Sequence, residues 1–454
     1  MTAITHTSLH RLALPLLLNS LLGLVTTLID TLIISAHGKA SAAAVSLANQ
    51  ILVAAYDLSV LLGVGATILV SHALGRGDRD EARSLVQVAV LSNALLGVLI
   101  GVLLVLSAPA LVRFLNVPPE LVADTLTYVH VIAIAMPFNG FLMAGVSCLR
   151  GFALTRTILM LGLFAFPSYL LLDYVLVLGA GPVPSFGVLG SALATLTVRV
   201  CSVLVLVYVM TRVLGVDWWR LPSFAWWRDR LRRLVGLSSP SVLDNVAYGF
   251  YQLTLVSFIA GLGVAAVVSR FYVIAITAFL PVLIMAVSQA NEVLVGYRHG
   301  AGANDGLRRR ALESGAISAA LATLAGLLIW ACAGPLVGLF SDDPDVLAQA
   351  RELLWLTVFI QPLSGLNTVL FHSLRVLGDV HAPVVFSQIV MWCGAVPLAW
   401  LLCVHLDQGV AGLWYAMIAE EAAKTAYMVW RWCRRPLPAA APDGRLGHAA
   451  GPGA

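Results

Sequence analysis

Residues 72–83 read HALGRGDRDEAR, and residues 297–308 read YRHGAGANDGLR. Four residues recur in the same order: Gly75 and Gly300, Gly77 and Gly302, Asp80 and Asp305, and Arg83 and Arg308, each pair 225 positions apart (300 − 75). The same offset pairs Pro15 with Pro240, Gly38 with Gly263, Pro137 with Pro362, Gly140 with Gly365, and Leu149-Arg150 with Leu374-Arg375. Beyond a three-residue gap the offset becomes 222 (409 − 187), where Gly187-Val188 and Gly190 meet Gly409-Val410 and Gly412. A register held over that distance, loop against loop, marks an internal duplication.

The sequence between these loops is written for lipid. Apolar residues make up 60% of the 454 and charged residues 11%, with a mean hydropathy of +0.92. A soluble domain carries roughly a quarter charged residues. Apolar runs of about 20 residues, each long enough to cross a bilayer as a helix, predict helices near 12–36, 43–72, 84–112, 121–150, 156–179 and 186–212. A second set is predicted near 236–261, 267–297, 310–340, 346–375, 381–405 and 409–431. The fold class is therefore an all-α membrane protein of about twelve transmembrane helices in two six-helix lobes. Six is even, so both halves keep one orientation in the membrane, and parallel repeats of this kind are a transporter architecture. The expected organisation is an N-terminal lobe over 1–214, an interfacial linker over 215–233, a C-terminal lobe over 234–435 and a disordered cytoplasmic tail over 436–454. The first thirty residues read as the first span, with Asp30 inside it, rather than as a cleaved signal peptide.

Loop charges set the expected orientation. One set of loops carries Arg76, Arg79, Arg83, Arg150, Arg156, Arg220, Arg228, Arg230, Arg232, Arg233, Arg298, Arg308, Arg309, Arg310, Arg375, Arg434 and Arg435; the opposite set has little beyond Lys39, Arg113 and Arg351. Cytoplasmic loops are enriched in Lys and Arg, so both termini are expected in the cytoplasm and the chain in the inner (plasma) membrane. Residues 217–233, DWWRLPSFAWWRDRLRR, set four tryptophans among five arginines and suit a helix lying in the headgroup layer. The six cysteines form no CxxC and mostly sit in apolar runs, so neither a disulfide framework nor a metal site is indicated. No GxxxxGK[ST] loop is present to hold a nucleotide. The expected partners are a small-molecule substrate and the lipid bilayer, with no nucleic acid, for a chain working as a monomer.

In family terms, HALGRGDRDEAR resembles the loop of the multidrug and toxic compound extrusion (MATE) transporters, in which Gly-x-Gly-(Asp/Asn) closes one helix and Ala-Arg opens the next. It fits poorly the Gly-x-x-x-Asp-Arg-x-Gly-Arg-Arg pattern of the major facilitators. LPLLLNSLLGLVTTLIDTLIISAHG, GVSCLRGFALTR, LLDYVLVLGAG, FGVLGSALAT, LFHSLRVLGDVHAP and GVAGLWYAM agree with the MATE pattern in order and spacing along nearly the whole chain. The resemblance implies a secondary active exporter of lipophilic or cationic small molecules, working by alternating access, with no cofactor beyond its coupling ion.

A carboxylate within a span is expensive and needs a reason. Asp30 lies 19 residues past Arg11, about 28 Å at 1.5 Å per residue, and Asp173 lies 17 past Arg156, about 26 Å. The two thus share a depth in the first lobe, and their repeat partners are Leu255 and Leu398, so the fold itself does not demand acids there. A buried acid satisfied by local hydrogen bonds is the alternative to a functional role. The resemblance implies more: the two match the first-lobe acidic pair of DinF-like MATE proteins, implicated in proton coupling and substrate binding. Two carboxyl groups side by side in hydrocarbon resist joint ionisation, which suits proton exchange. Pro15 removes a helical hydrogen bond and permits a bend, which in the family responds to protonation; as the repeat partner of Pro240 it is equally explained by shared architecture. Where the DinF-like pattern has Asn and Gln, this chain has Tyr169 and Gly23. Where the NorM-like pattern has second-lobe acids it has Tyr248 and Ser364, and Asp244 stands at the wrong spacing to replace them, which argues against that sodium site.

Asp57 and Asn139 are further candidates for the same cavity, and Tyr169 is a third. Arg199 has Glu421 as its 222-offset partner, and Glu420 and Glu421 fall one helical turn from Lys424; a structural ion-pair cluster is preferred there over a second-lobe substrate site. Glu292 is expected to reach arginines at the inner face, and His372 and His405 to be satisfied helix residues. A proton is the expected coupling ion, with a sodium-coupled exporter as alternative. A lipid-linked precursor flippase of the same superfamily is the other rival; it would need a strongly basic cavity, whereas Arg199 and Lys424 are the basic residues read at mid-depth. An enzyme would need clustered nucleophile, base or metal ligands, and no such grouping is spaced for it.

Overall fold

A computed structural model describes residues 8–436 except 181, 221, 222 and 342; the tail expected over 436–454 lies, from 437 on, outside the described residues. The first half comprises α1 (Leu9–His37), α2 (Lys39–Ser59), α3 (Leu61–Arg76), α4 (Arg79–Phe114), α5 (Pro119–Gly151), α6 (Thr155–Leu178) and α7 (Gly187–Val209), the last extended by a π-helical turn, Met210–Leu214. The second comprises α8 (Phe224–Ala260), α9 (Val264–Thr277), α10 (Phe279–Gly300), α11 (Leu307–Ala331), α12 (Ala333–Gly338), α13 (Pro344–Val376), α14 (His381–Ile389), α15 (Val396–Trp400) and α16 (Gly409–Arg434), with π-helical stretches at Val390–Ala395 and Leu401–His405. Taking α2 with α3, α9 with α10, α11 with α12, and α14 with α15 gives twelve spans among the described residues. Ten of them are long and apolar enough to cross a membrane on length and composition alone.

Several helices depart from the lengths expected. The second span begins at Lys39 and breaks at Val60. There the Ser59 hydroxyl turns back onto the Ala55 carbonyl at 2.9 Å, and the Asn93 amide donates to the Ser59 carbonyl at 2.8 Å. That carbonyl is thereby served from outside the helical ladder. The ninth span stops at Ala331 and resumes as α12, because Pro335 has no N–H to return to the carbonyl of Ala331. The linker is not a separate helix. From Phe224 onward it runs unbroken through Pro240 to Ala260, since residues 224–239 hold no breaker strong enough to end a helix. Trp227 donates to Ser92 at 3.1 Å, and Arg230 pairs with Glu81 at 2.8 Å.

Contacts divide the chain into two compact units, with cuts between Leu17 and Leu18 and between Val242 and Leu243. The cuts themselves are 225 positions apart (243 − 18), and each falls just past a repeat-paired proline, Pro15 or Pro240. The expected boundaries at 214 and 234 are therefore displaced. One unit runs from 18 to 242 and keeps the first nineteen residues of α8; the other joins the start of α1 to everything after 242.

The repeat is exact at its turns and crossings. Gly77 (φ 89°) and Gly302 (φ 72°) both close helices in the left-handed region, where a side chain is strained. In one, Gly77 and Asp78 donate to Leu74 and Ala73; in the other, Gly302 and Ala303 donate to His299 and Arg298. At Gly140 a Cβ would lie 2.3 Å from the Asn93 carbonyl oxygen, and at Gly365 it would lie 2.8 Å from the Ala319 nitrogen. Only glycine lets α5 and α13 approach α4 and α11 so closely. The first unit's core packs Ala44, Ala48, Leu52, Ile132 and Met136, and the second packs Tyr251, Leu255, Leu353, Leu354 and Leu413. Leu255, the partner of Asp30, is fully buried there.

Candidate functional site

In the first lobe, α1 and α6 bring three candidates together. Tyr169 and Asp173 stand one turn apart on α6, and the Tyr169 hydroxyl donates to Asp30 Oδ1 at 2.6 Å. Asp173 is fully buried. Asp30 and the Ser191 hydroxyl of α7 are its polar neighbours, yet neither carboxyl oxygen has a hydrogen bond of good geometry. Tyr128 on α5, also buried, lies within electrostatic range of Asp30, Asp173, Tyr56 and Arg199. Arg199 donates to the Tyr56 hydroxyl at 3.2 Å, its guanidinium 5.2 Å from the ring centre. Arg199 thus belongs to the first lobe's polar chain. Tyr56 and Tyr128 were not expected here. The available signal was the one that found the acids: Tyr128 faces Leu353 across the repeat, as Asp30 faces Leu255.

The second lobe holds its own polar group. Lys424 is paired with Glu420, which also accepts from the Tyr251 hydroxyl; Glu420, Lys424 and Tyr251 are all buried. Glu421 accepts from Asn367 at 3.2 Å and lies 3.9 Å from Lys424. From the other side Arg270 donates to Gln252 at 2.9 Å, and Gln252 to Tyr248 at 2.6 Å. Several of these residues border a cavity of about 190 Å³ whose wall includes Tyr248, Gln252, Ser364, Trp414, Glu420 and Glu421. The expected ion pair is present, and its glutamates also line a cavity. Arg270 adds a basic residue within a span that the sequence reading had not counted.

With that geometry described, the chain can be compared with known proteins. The MatE family profile matches it twice, over residues 15–175 and again over 240–401. The two matches begin at Pro15 and Pro240, the pair that opens the internal repeat. The chain belongs to the MatE family. Among curated relatives, it is 26% identical to the uncharacterized transporter YisQ of Bacillus subtilis, over 89% of each chain. It is 23% identical to the probable multidrug resistance protein NorM of Thermotoga maritima, over 91% of this chain and 89% of that one. Among solved structures, an outward-facing multidrug resistance MATE family transporter superposes with a TM-score of 0.84 at 20% identity, covering 95% and 96% of the two chains. A MOP superfamily transporter from Pyrococcus furiosus gives 0.81 at 20% identity, covering 94% of each. At these identities the superpositions establish the fold: twelve helices in two lobes.

Within this MatE fold the remaining candidates are placed as follows. Asp57 is half-buried on α2, and its side chain has no hydrogen-bond or ion-pair partner among the described residues. Asn139 is buried beside Pro137, and no side-chain hydrogen bond joins it to the acidic pair. Pro15 sits inside α1 without interrupting it. Asp244 accepts from Gln388 at 2.6 Å. Glu292 pairs with Arg375 at 2.9 Å and with His372 at 3.3 Å, as an acid reaching arginine should. Tyr248 and Ser364, which replace the NorM-like acids, both line the second-lobe cavity. Among the described residues no cluster of His, Cys, Asp and Glu suits a metal ion.

Proposed function

We propose that this multi-pass MatE transporter exports lipophilic cations in exchange for protons, as a DinF-like member. It acts as a monomer in the inner membrane, with both termini in the cytoplasm. One observation carries the coupling assignment: two carboxyl groups and one tyrosine meet inside the first lobe, at positions whose repeat partners are Leu255, Leu398 and Gly394. Nothing in the shared fold calls for them. Two acids in contact within hydrocarbon hold one proton between them more readily than none, and a shared proton that leaves when the lobe opens is what an antiporter exchanges. Pro15 supplies the bend through which α1 answers that change. The names of the relatives, multidrug resistance proteins among them, support a small organic substrate. The basic residues favour export over flipping of a polyanionic lipid-linked precursor. Lys424 is paired with glutamate, and Arg199 and Arg270, held by the neutral Tyr56 and Gln252, leave one cation in each lobe, too few to bind a polyanionic headgroup.

The test is uptake of a fluorescent cation into proteoliposomes under an imposed pH gradient, with a sodium gradient as a separate arm. Asp30→Asn and Asp173→Asn should each abolish proton-driven transport while eluting as folded protein. Asp244→Asn, which keeps its hydrogen bond to Gln388, should transport normally. Full activity of the doubly substituted protein, or transport driven only by sodium, would refute the assignment.

A further inference from the structure

The stretch from Asp217 to Arg233 has no part in that coupling scheme, and α4 holds its backbone from one side. Arg83 donates to the Leu214 carbonyl at 2.8 Å, and the Gln87 amide reaches the carbonyls of Asp217 and Arg220. Three of the four tryptophans are engaged. Trp218 donates to Thr211 and packs near Phe141, Trp226 lies under the Arg230 guanidinium, 5.0 Å from its ring centre, and Trp227 donates to Ser92. Trp219 is the exception. It is 95% exposed, and its indole has no partner among the described residues.

The arginines divide in the same way. Arg220, Arg230 and Arg233 pair with Asp217, Glu81 and Asp229. Arg228 and Arg232 are exposed and have no ion-pair or hydrogen-bond partner among the described residues. They stand one helical turn apart on α8, with Phe224, 81% exposed, one turn before them. The three therefore share an outward stripe, while Trp227, Arg230 and the buried Leu234 face inward. At the 225 offset the two arginines meet Ala3 and Thr7, so the repeated fold does not ask for them.

A four-residue spacing on a helix leaves about 5–6 Å between Cβ atoms. Both guanidinium groups can then reach one phosphate, a partner that arginine's planar fork suits. Bare aromatic rings, for their part, settle at the headgroup level of a bilayer. Water alone satisfies the charges but not the rings, and hydrocarbon the rings but not the charges. A surface that is anionic outside and apolar beneath satisfies both.

We propose that Arg228 and Arg232 bind the phosphodiester head group of an anionic phospholipid in the cytoplasmic leaflet, with Phe224 and Trp219 entering the bilayer interface. The inference rests on the orientation proposed above, which puts this stretch at the inner surface. A zwitterionic lipid brings its own ammonium group and meets the two arginines with less net attraction, so lipid of net negative charge is selected. Because Arg83 and Gln87 already fix the backbone leading into α8, the site exists before lipid arrives.

The experiment titrates the purified full-length protein with phosphatidylglycerol or phosphatidylcholine and reads bound lipid by native mass spectrometry. Wild type should take phosphatidylglycerol in preference. Arg228→Gln/Arg232→Gln should weaken that binding roughly 10- to 30-fold, about what two basic residues contribute near an anionic surface, and Arg228→Lys/Arg232→Lys should keep most of it. Arg79→Gln/Arg309→Gln removes the same charge from two other exposed positions and should bind as wild type does. In nanodiscs, a phosphatidylglycerol with a photoreactive head group needs no variant to fold, and it should label wild-type protein within residues 223–235. Four results would each overturn the proposal: equal uptake of the two lipids by wild type, unchanged affinity in the glutamine variant, the same loss in Arg79→Gln/Arg309→Gln, or labelling confined to other segments. None of these readouts involves transport or a pH gradient, so the coupling assignment can fail without them. If a reporter after Arg435 reads outside while lipid binding still follows the two arginines, the orientation fails and the lipid site stands in the other leaflet.

Discussion

Asp30 and Asp173 stood out in the sequence because a charge inside an apolar run is costly. Their partners were harder to read. Tyr56, Tyr128 and Tyr169 come from three helices, and which of them meet depends on how each helix is rotated about its axis. A span apolar nearly all round has no polar face to report that rotation. Tyr169 was a candidate because it replaces an expected asparagine, and its bond to Asp30 explains how a larger residue serves in that place. Tyr169→Phe keeps the ring and removes one hydrogen bond to a carboxyl group, a change of about 1–3 kcal/mol. Proton-driven transport should fall measurably, while the melting temperature of the purified protein should hardly move. A fall in both would mean that the tyrosine supports the whole fold rather than the acidic pair. Glu421 was read as one member of an ion-pair cluster; one-turn spacing reveals who can pair, but not that Asn367 donates to Glu421 or that both glutamates line a cavity.

At the scale of elements, the spans and their order were legible from hydropathy, and the breaks were not. The break at Val60 depends on Asn93, a residue 34 positions away that reaches the Ser59 carbonyl from another helix. The linker was expected as a separate helix because its tryptophans and arginines differ from the apolar run that follows. Composition changes at residue 234, but the backbone does not. The paired glycines make a sharper test. Gly140→Ala would drive a methyl group toward the Asn93 carbonyl, a rigid backbone atom, and should lower stability by about 1–3 kcal/mol, the range for overpacked cores. Gly365→Ala, with its nearest atom at 2.8 Å rather than 2.3 Å, should cost less. Gly249→Ala, inside α8 with nothing within 4 Å of its added carbon, should be neutral or slightly stabilising, since alanine favours helix. Thermal unfolding of the three purified variants in one detergent gives the ranking, and a reversed order would show that the helices at these crossings can move apart.

For the whole molecule, the duplication and the lipid-like composition were enough to give twelve spans in two lobes, and the doubled MatE match retraces the same repeat. Orientation rests on loop arginines alone. A reporter fused after Arg435 should be active on the cytoplasmic side, and Lys39→Cys should react with a membrane-impermeant thiol reagent from outside; the opposite pattern at both sites would invert the topology. What hydropathy could not show is where each compact unit begins, because the cuts past Pro15 and Pro240 fall inside continuous helices. They carry a consequence for synthesis. The first unit stays incomplete until the ribosome has moved beyond Val242, some way into the second repeat. The second unit is finished by turns of helix made before the first unit begins. A chain severed at residue 214 would therefore leave each fragment holding a stretch of helix that belongs to the other's unit.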